Sequence, residues 1–313
     1  MGVDATTAAA TAAASQKKIN GAGIEDIEVF ADGLDARRAA DIYREHGCLV
    51  VRGLMQPYLA AIQREIEDAA RQAVELLPQA KEVPGIGWNT PDGTLWLPAP
   101  ASFARDKQIM VLAVRYTTSG AFLRSALDPN LLDVVEAILG PDVELFMDGQ
   151  CLYKEPVGGH PKHLHQDSAY FEHRFEGPVG VLSYAVDTDL VNGALYVVPG
   201  SHRMGQLKHI DTFSHLGLDP EEWPWERALP VTGRAGDAIF FHYRCIHGSQ
   251  ENHSEAPRPV FIHRYRQPGD YVTVGAATVA AREEAEKRAD EAKKQNQRGF
   301  MVRGFRRYED AEL

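Results

Sequence analysis

The chain has 313 residues, 44% of them hydrophobic, enough to bury a full core in one large domain or two small ones. A balance of 33 Lys and Arg against 44 Asp and Glu leaves a net charge of -11, which argues against a nucleic-acid surface. No apolar run approaches the roughly 20 residues that span a bilayer, and Cys48, Cys151 and Cys245 are too scattered for a disulfide framework or a thiolate zinc site, so a reducing cytoplasm is the expected compartment.

Residues 1–25 read as a disordered leader, because small and polar residues cannot offset the cost of ordering the backbone. The start lacks the apolar stretch of a signal peptide. Gly2 and Thr6 fit the loose myristoylation pattern, for which a flexible tail is the simpler account. The main domain is expected over 26–275. Within it "LDARRAADIYREHG" predicts a helix ending at Gly47, followed by the buried strand "CLVVRG". Pro57 opens a second helix with Leu59, Ile62, Ile66, Ala69, Ala73 and Leu76 on one face. The Pro- and Gly-rich stretch 82–106, with Trp88 and Trp96, reads as a long lid loop. Another helix runs from Asp128-Pro129 through Leu131, Val135 and Ile138 to Gly140-Pro141. Beyond Gly140, short apolar runs separated by turn residues predict a mainly β barrel or sandwich preceded by packing helices. The remainder, 276–313, reads as a charged helix and tail with Ala281, Ala285, Ala289 and Ala292 on one face. A solvated helix supported by i,i+4 ion pairs is the first reading, a homodimer surface the alternative.

Eleven of the twelve histidines fall between His160 and His263. Non-haem iron oxygenases need two imidazoles and a carboxylate on one face of the metal, with adjacent positions left open. In "HLHQDSAYF", His165 and Asp167 sit two apart, a spacing that puts both side chains on one side of an extended segment. Such a tripeptide alone is weak evidence. A distant His247 and, on the following strand, Arg258 strengthen it, since a guanidinium fork pairs bidentately with the distal carboxylate of 2-oxoglutarate. His163 competes with Asp167 as the partner of His165. His242 lies on opposite parity from His247 and suits a packed or hydrogen-bonded histidine, and His253 and His263 have no partner at an informative spacing.

Taken together, "HLHQDSAYF", "NGALYVVPGSHR" and "IHGSQENHSEAPRP" resemble the phytanoyl-CoA dioxygenase family of Fe(II)/2-oxoglutarate oxygenases, over roughly Ile27 to Tyr271. The resemblance implies a double-stranded β-helix (jelly-roll, cupin-like) core. It also implies His165, Asp167 and His247 as iron ligands, with Arg258 and Ser249 on the 2-oxoglutarate carboxylate. Gln150 and Lys154 share a strand side where family members place polar contacts to the co-substrate. Iron(II), 2-oxoglutarate and dioxygen are the expected cofactor set. The expected reaction is hydroxylation of an unactivated C–H bond of a small molecule, with release of succinate and CO2. Desaturation, cyclisation and epimerisation are alternatives, as is a cupin-like metalloenzyme without 2-oxoglutarate. The carboxylate of Asp167 argues against halogenation, because related halogenases carry a small residue there. A non-catalytic barrel is disfavoured by the four residues being kept. For the substrate, Trp88, Asn89, Tyr170, Phe171, Arg174 and an inward Arg264 are the candidates, with ordinary packing the competing account.

Overall fold

The computed structural model describes residues 17–213, 216–287 and 298–307, and in it the short apolar runs beyond Gly140 become two antiparallel sheets. In the larger sheet Val179–Tyr184 lies between Ala238–His242 and Arg258–Arg266, and the last of these pairs on its other side with Gln150–Lys154. The smaller sheet runs in the order Leu229–Val231, Leu195–Val197, His247–Ser249, Lys162–His165. Alternate residues of both sheets, among them Leu182, Tyr184, Ile239, Phe241, Val260 and Ile262 from one and Leu195, Val197, Leu229 and Val231 from the other, form one apolar cluster. This is a jelly roll filled by the inward positions of two-residue repeats.

The outer face of the larger sheet is covered by helices, so its central strand Arg258–Arg266 is buried at every position. Val181, Phe240, Phe261 and Tyr265 on that face pack with Ile62, Ile66 and Ala73 of the helix Gln56–Leu76, and with Leu131 and Val135 of Pro129–Leu139. Each fully buried apolar side chain of this size contributes about 1.5–3 kcal/mol. Local chemistry sets the helix ends. Asp35 accepts from the backbone amides of Arg37 and Arg38 to start Ala36–His46, which stops at Gly47 in the left-handed region at φ 70°. Asp128 caps Pro129–Leu139 in the same manner, with Pro129 in the first turn.

Three boundaries differ from expectation. The predicted lid loop 82–106 carries short strands between its turns: Lys81–Val83, Gly87–Asn89 and Leu95–Pro98 form successive antiparallel pairs that join Lys107–Leu112 and through it the barrel strand Gln150–Lys154. Its glycines and prolines mark turns, and Trp96 anchors it, fully buried with its indole N–H donating to Thr90 Oγ1 at 3.2 Å. The predicted leader is folded from residue 17 onward, because Ile19 pairs with Ala22 and packs against the barrel clusters. Gly2 and Thr6 lie outside the described residues. The tail is not separate either. Phe300–Arg303 adds a strand to Val143–Leu145, Arg306 pairs with the buried Glu144, and the helix there covers Val279–Glu286. Ala289 and Ala292 lie outside the described residues. Among the described residues, no helix is long and apolar enough to cross a membrane.

One irregularity matters for the site. His247 pairs with His165 and Ser249 with Lys162, so two steps on one strand match three on the other, a bulge in Lys162–His165. At the intervening Gly248 a Cβ would lie 2.7 Å from the Lys162 carbonyl oxygen, which only glycine avoids. Gly248→Ala is therefore expected to cost about 1–3 kcal/mol, read as a lower urea midpoint with an unchanged slope.

Acid lability is a second expectation. His263 is fully buried between the Tyr116 hydroxyl and Ser125 Oγ, each 3.0 Å away, and burial pushes its pKa down to about 3. Burial likewise lowers His173 and His242 to about 3. An unfolded histidine binds its proton near pH 6.5. The unfolded state therefore takes up protons first as pH falls, and stability is lost progressively from about pH 6.5 downward. Urea melts between pH 7 and pH 4 should show a falling unfolding free energy, with a shallower slope in His263→Gln.

Candidate metal centre and cavity

His165 ends one strand of the smaller sheet, His247 begins its neighbour directly opposite, and Asp167 opens the one-turn 3-10 helix Asp167–Ala169 that follows His165. All three are buried, and one ligand atom from each lies within 4.8 Å of the others. Asp167 Oδ1 is 3.7 Å from Nε2 of both His165 and His247. The imidazole tautomers are set by backbone. Nδ1 of His165 lies 2.8 Å from the His163 carbonyl, and Nδ1 of His247 lies 2.9 Å from that of Cys245. A carbonyl only accepts, so Nδ1–H donates and the lone pair of each ring sits on Nε2, the atom turned toward Asp167. Burial, reinforced by His165, pushes the His247 imidazole down to about 4 against the pull of Asp167, so the ring is neutral near pH 7.

Burial alone would raise the Asp167 carboxyl, but Arg264 and the two imidazoles hold it well below the usual carboxylate range. Arg264 Nη2 reaches Asp167 Oδ2 at 3.2 Å, while Nη1 donates to Gln150 Oε1 at 3.2 Å. The two carboxylate oxygens are thus divided, Oδ1 toward the imidazoles and Oδ2 toward the guanidinium. Two imidazole Nε2 atoms and an ionised carboxylate are a donor set that a divalent first-row metal takes. His163 is half-buried, and it lines a separate small cavity with Trp223 and Trp225.

His165, Asp167 and His247 line a cavity of about 660 Å³ together with Ser249, Arg258, Gln150, Tyr170, Phe171 and Arg264. Arg258 is 2% exposed and donates to the Gly193 carbonyl, while its Nε has no partner among the described residues. No described carboxylate pairs with it, and burial lowers its pKa to about 10 against the pull of Tyr184. A buried guanidinium without an acid is a waiting anion site. Tyr170 donates to the Leu216 carbonyl at 3.1 Å and packs edge-on against His165, and Phe171 lies under Arg264.

Four sequence candidates lie off the cavity. Lys154 faces Arg258 across the sheet, but its ammonium donates to the His160 carbonyl, and burial, with Arg258 next, pushes its pKa well down. Trp88 stacks with Lys107 on the outer sheet extension, and Asn89 beside it is exposed. Arg174 is exposed and lies over Phe175 and Tyr271. Conversely, Lys162, Met110, Met147, Ile86, Asp211 and Phe213 line the cavity although no motif marks them. Lys162 is three residues from His165, the wrong parity for a regular strand, and the bulge turns it inward. Burial pushes its ammonium down to about 7, with Asp167 opposing.

The family model described as phytanoyl-CoA dioxygenase (PhyH) matches residues 43–260. Human peroxisomal phytanoyl-CoA dioxygenase is 27% identical over 234 residues, covering 69% of this chain and 64% of that protein. A probable alpha-ketoglutarate-dependent hypophosphite dioxygenase of Stutzerimonas stutzeri is 29% identical over 149 residues, 44% of this chain and 49% of that protein. The matches thus span about half to two thirds of these relatives' length. Among solved structures, the non-heme monooxygenase ThoJ superposes with a TM-score of 0.56 at 19% identity, covering 87% of this chain and 84% of that one. With its match extending over most of the jelly roll, the chain belongs to the phytanoyl-CoA dioxygenase family.

Proposed function

We propose that this protein is a non-haem iron(II), 2-oxoglutarate-dependent dioxygenase that hydroxylates an unactivated C–H bond of a small molecule. The observation that carries the reading is the pairing of His165, Asp167 and His247 within 4.8 Å of one another with a buried, acid-free Arg258 lining the same cavity. When bound, iron and 2-oxoglutarate supply an oxidant from dioxygen by oxidative decarboxylation, with release of succinate and CO2. The chain's residues do the rest. His165, Asp167 and His247 would hold the metal at the cavity wall. Arg258, with Ser249, takes the distal carboxylate of 2-oxoglutarate. Arg264 keeps Asp167 ionised and takes its Oδ2, so that Oδ1 stays turned toward the two imidazoles. Gln150 in turn holds Arg264. The apolar walls Leu182, Phe241 and Ile262 exclude water from the reacting side.

The outer half of the cavity speaks to the substrate. Its walls include Ile86, Leu95, Met110, Val111, Met147 and Phe213, of which Ile86, Met147 and Phe213 are 42%, 50% and 63% exposed at the mouth. The lining cations are Lys162, Arg258 and Arg264, all grouped with the metal ligands. Such a mouth suits a largely apolar molecule without a phosphorylated carrier, and Arg264, engaged by Asp167, is not its anion receptor. The three buried free thiols are in keeping with a reducing compartment such as the cytoplasm.

Anaerobic addition of Fe(II) and 2-oxoglutarate should produce a weak visible charge-transfer band, and admitting oxygen should release succinate. Bound metal with neither signal would overturn the reading. Arg258→Ala should cost about 2–5 kcal/mol of 2-oxoglutarate binding, a rise in Kd of about 30-fold or more, with Fe(II) affinity retained.

A further inference from the structure

The segment after the barrel is built into the metal turn. Val272–Gly275 pairs antiparallel with Phe171–His173, the strand that directly follows the ligand turn. Ala276 donates to the Tyr170 carbonyl at 2.8 Å, and Ala277 and Thr278 line the cavity. The helix Val279–Glu286 then begins with Thr278 as its cap and with the Val279 amide donating to Asp211 Oδ1 at 2.9 Å. This path seats the Arg282 side chain, only 15% exposed, against the turn Asp167–Ala169. Nη1 donates to the carbonyls of Ser168 at 3.2 Å and Ala169 at 3.0 Å. Nη2 pairs with Glu172 at 2.5 Å, and Nε with Glu286 at 2.9 Å.

From this we infer that Arg282 is a positioning residue for the metal ligand Asp167, a role that rests on the iron-site reading above. The last carbonyls of a helical turn have no donor within the turn, and a cation is favoured there. One planar fork holds two such carbonyls and the Glu172 carboxylate together, which a flexible ammonium cannot do at once. The turn's orientation fixes where the Asp167 side chain starts, while Arg264 fixes where it ends. Backbone and carboxylate are thereby constrained by two arginines from two different segments, one on the central strand and one on the terminal helix. The alanine-lined helix read from sequence as solvated or dimeric carries its structural weight on the Arg282 side.

Metal-free protein titrated with Co(II), followed by its visible d–d absorption, provides the test. Arg282→Ala is expected to weaken Co(II) binding about tenfold, in the range seen when groups that orient metal ligands are removed, and to change the band shape. Arg282→Lys, which keeps the charge and loses the fork, should fall between it and the wild type. Glu286→Ala, removing a partner that is 51% exposed, should leave both affinity and spectrum unchanged. If folded Arg282→Ala, judged by its cooperative melt, binds within twofold of wild type with the same spectrum, the positioning role is wrong. If Arg282→Ala does not fold, equality of Arg282→Lys with wild type overturns it equally. A wild-type protein that fails to bind Co(II), or binds it undisturbed by His165→Ala, refutes the metal-site reading itself rather than the role of Arg282.

Discussion

Keeping a carboxylate ionised inside a β-barrel is the constraint to which much of this molecule answers. Asp167 is 5% exposed, and an uncompensated charge at such a place costs several kcal/mol. Arg264 offsets it, but Arg264 is itself 6% exposed and needs its own support, from Asp167 and Gln150. It is held at that depth by its place on Arg258–Arg266, a strand with neighbours on both edges and helices behind it. In the same cavity Arg264 is engaged by Asp167, while Arg258 has no described carboxylate beside it. A buried guanidinium without an acid favours an anion, and a carboxylate of the co-substrate suits it.

The parts of the site legible in the sequence are those governed by short-range rules. His165 and Asp167 are two apart, and the helix ends at Gly47 and Gly140 follow from capping chemistry. Arg258 and Arg264 share parity on a regular strand, and both reach the cavity. Where a local rule was broken, inference failed. Lys162 is inward because of a bulge that a neighbouring strand imposes through Gly248, and no periodicity in "KHLH" reports it. Lys154 shares the parity of Gln150 yet points its charge to a backbone carbonyl, since parity gives a side and not a destination. The Pro and Gly around Trp88 and Asn89 suggest a loop that would reach the substrate. Three short strands with a buried Trp96 between turns look much the same in composition. The apolar mouth, with Met147 and Phe213 drawn from distant segments, depends on tertiary closure alone.

Two arginines acting on one aspartate also explain how a loop can serve as metal scaffold. Loops usually position ligands less precisely than regular elements. Here Asp167–Ala169 is fastened at its start by His165 in the sheet, at its middle by the Ser168 amide donating to the Tyr243 carbonyl, and at its end by the terminal helix. The precision resides in the attachments rather than in the loop.

The closing strand has a consequence for biosynthesis. Glu144 is fully buried, and its partners are Arg266, Arg306 and the Gly299 amide, all drawn from residues made more than a hundred positions later. Until those have left the ribosome, the nascent barrel holds an unneutralised carboxylate at its core edge and an unpaired strand, Val143–Leu145. The barrel must therefore wait for Arg306 to emerge before it can close, and in that interval it depends on whatever shields a half-formed sheet from its neighbours.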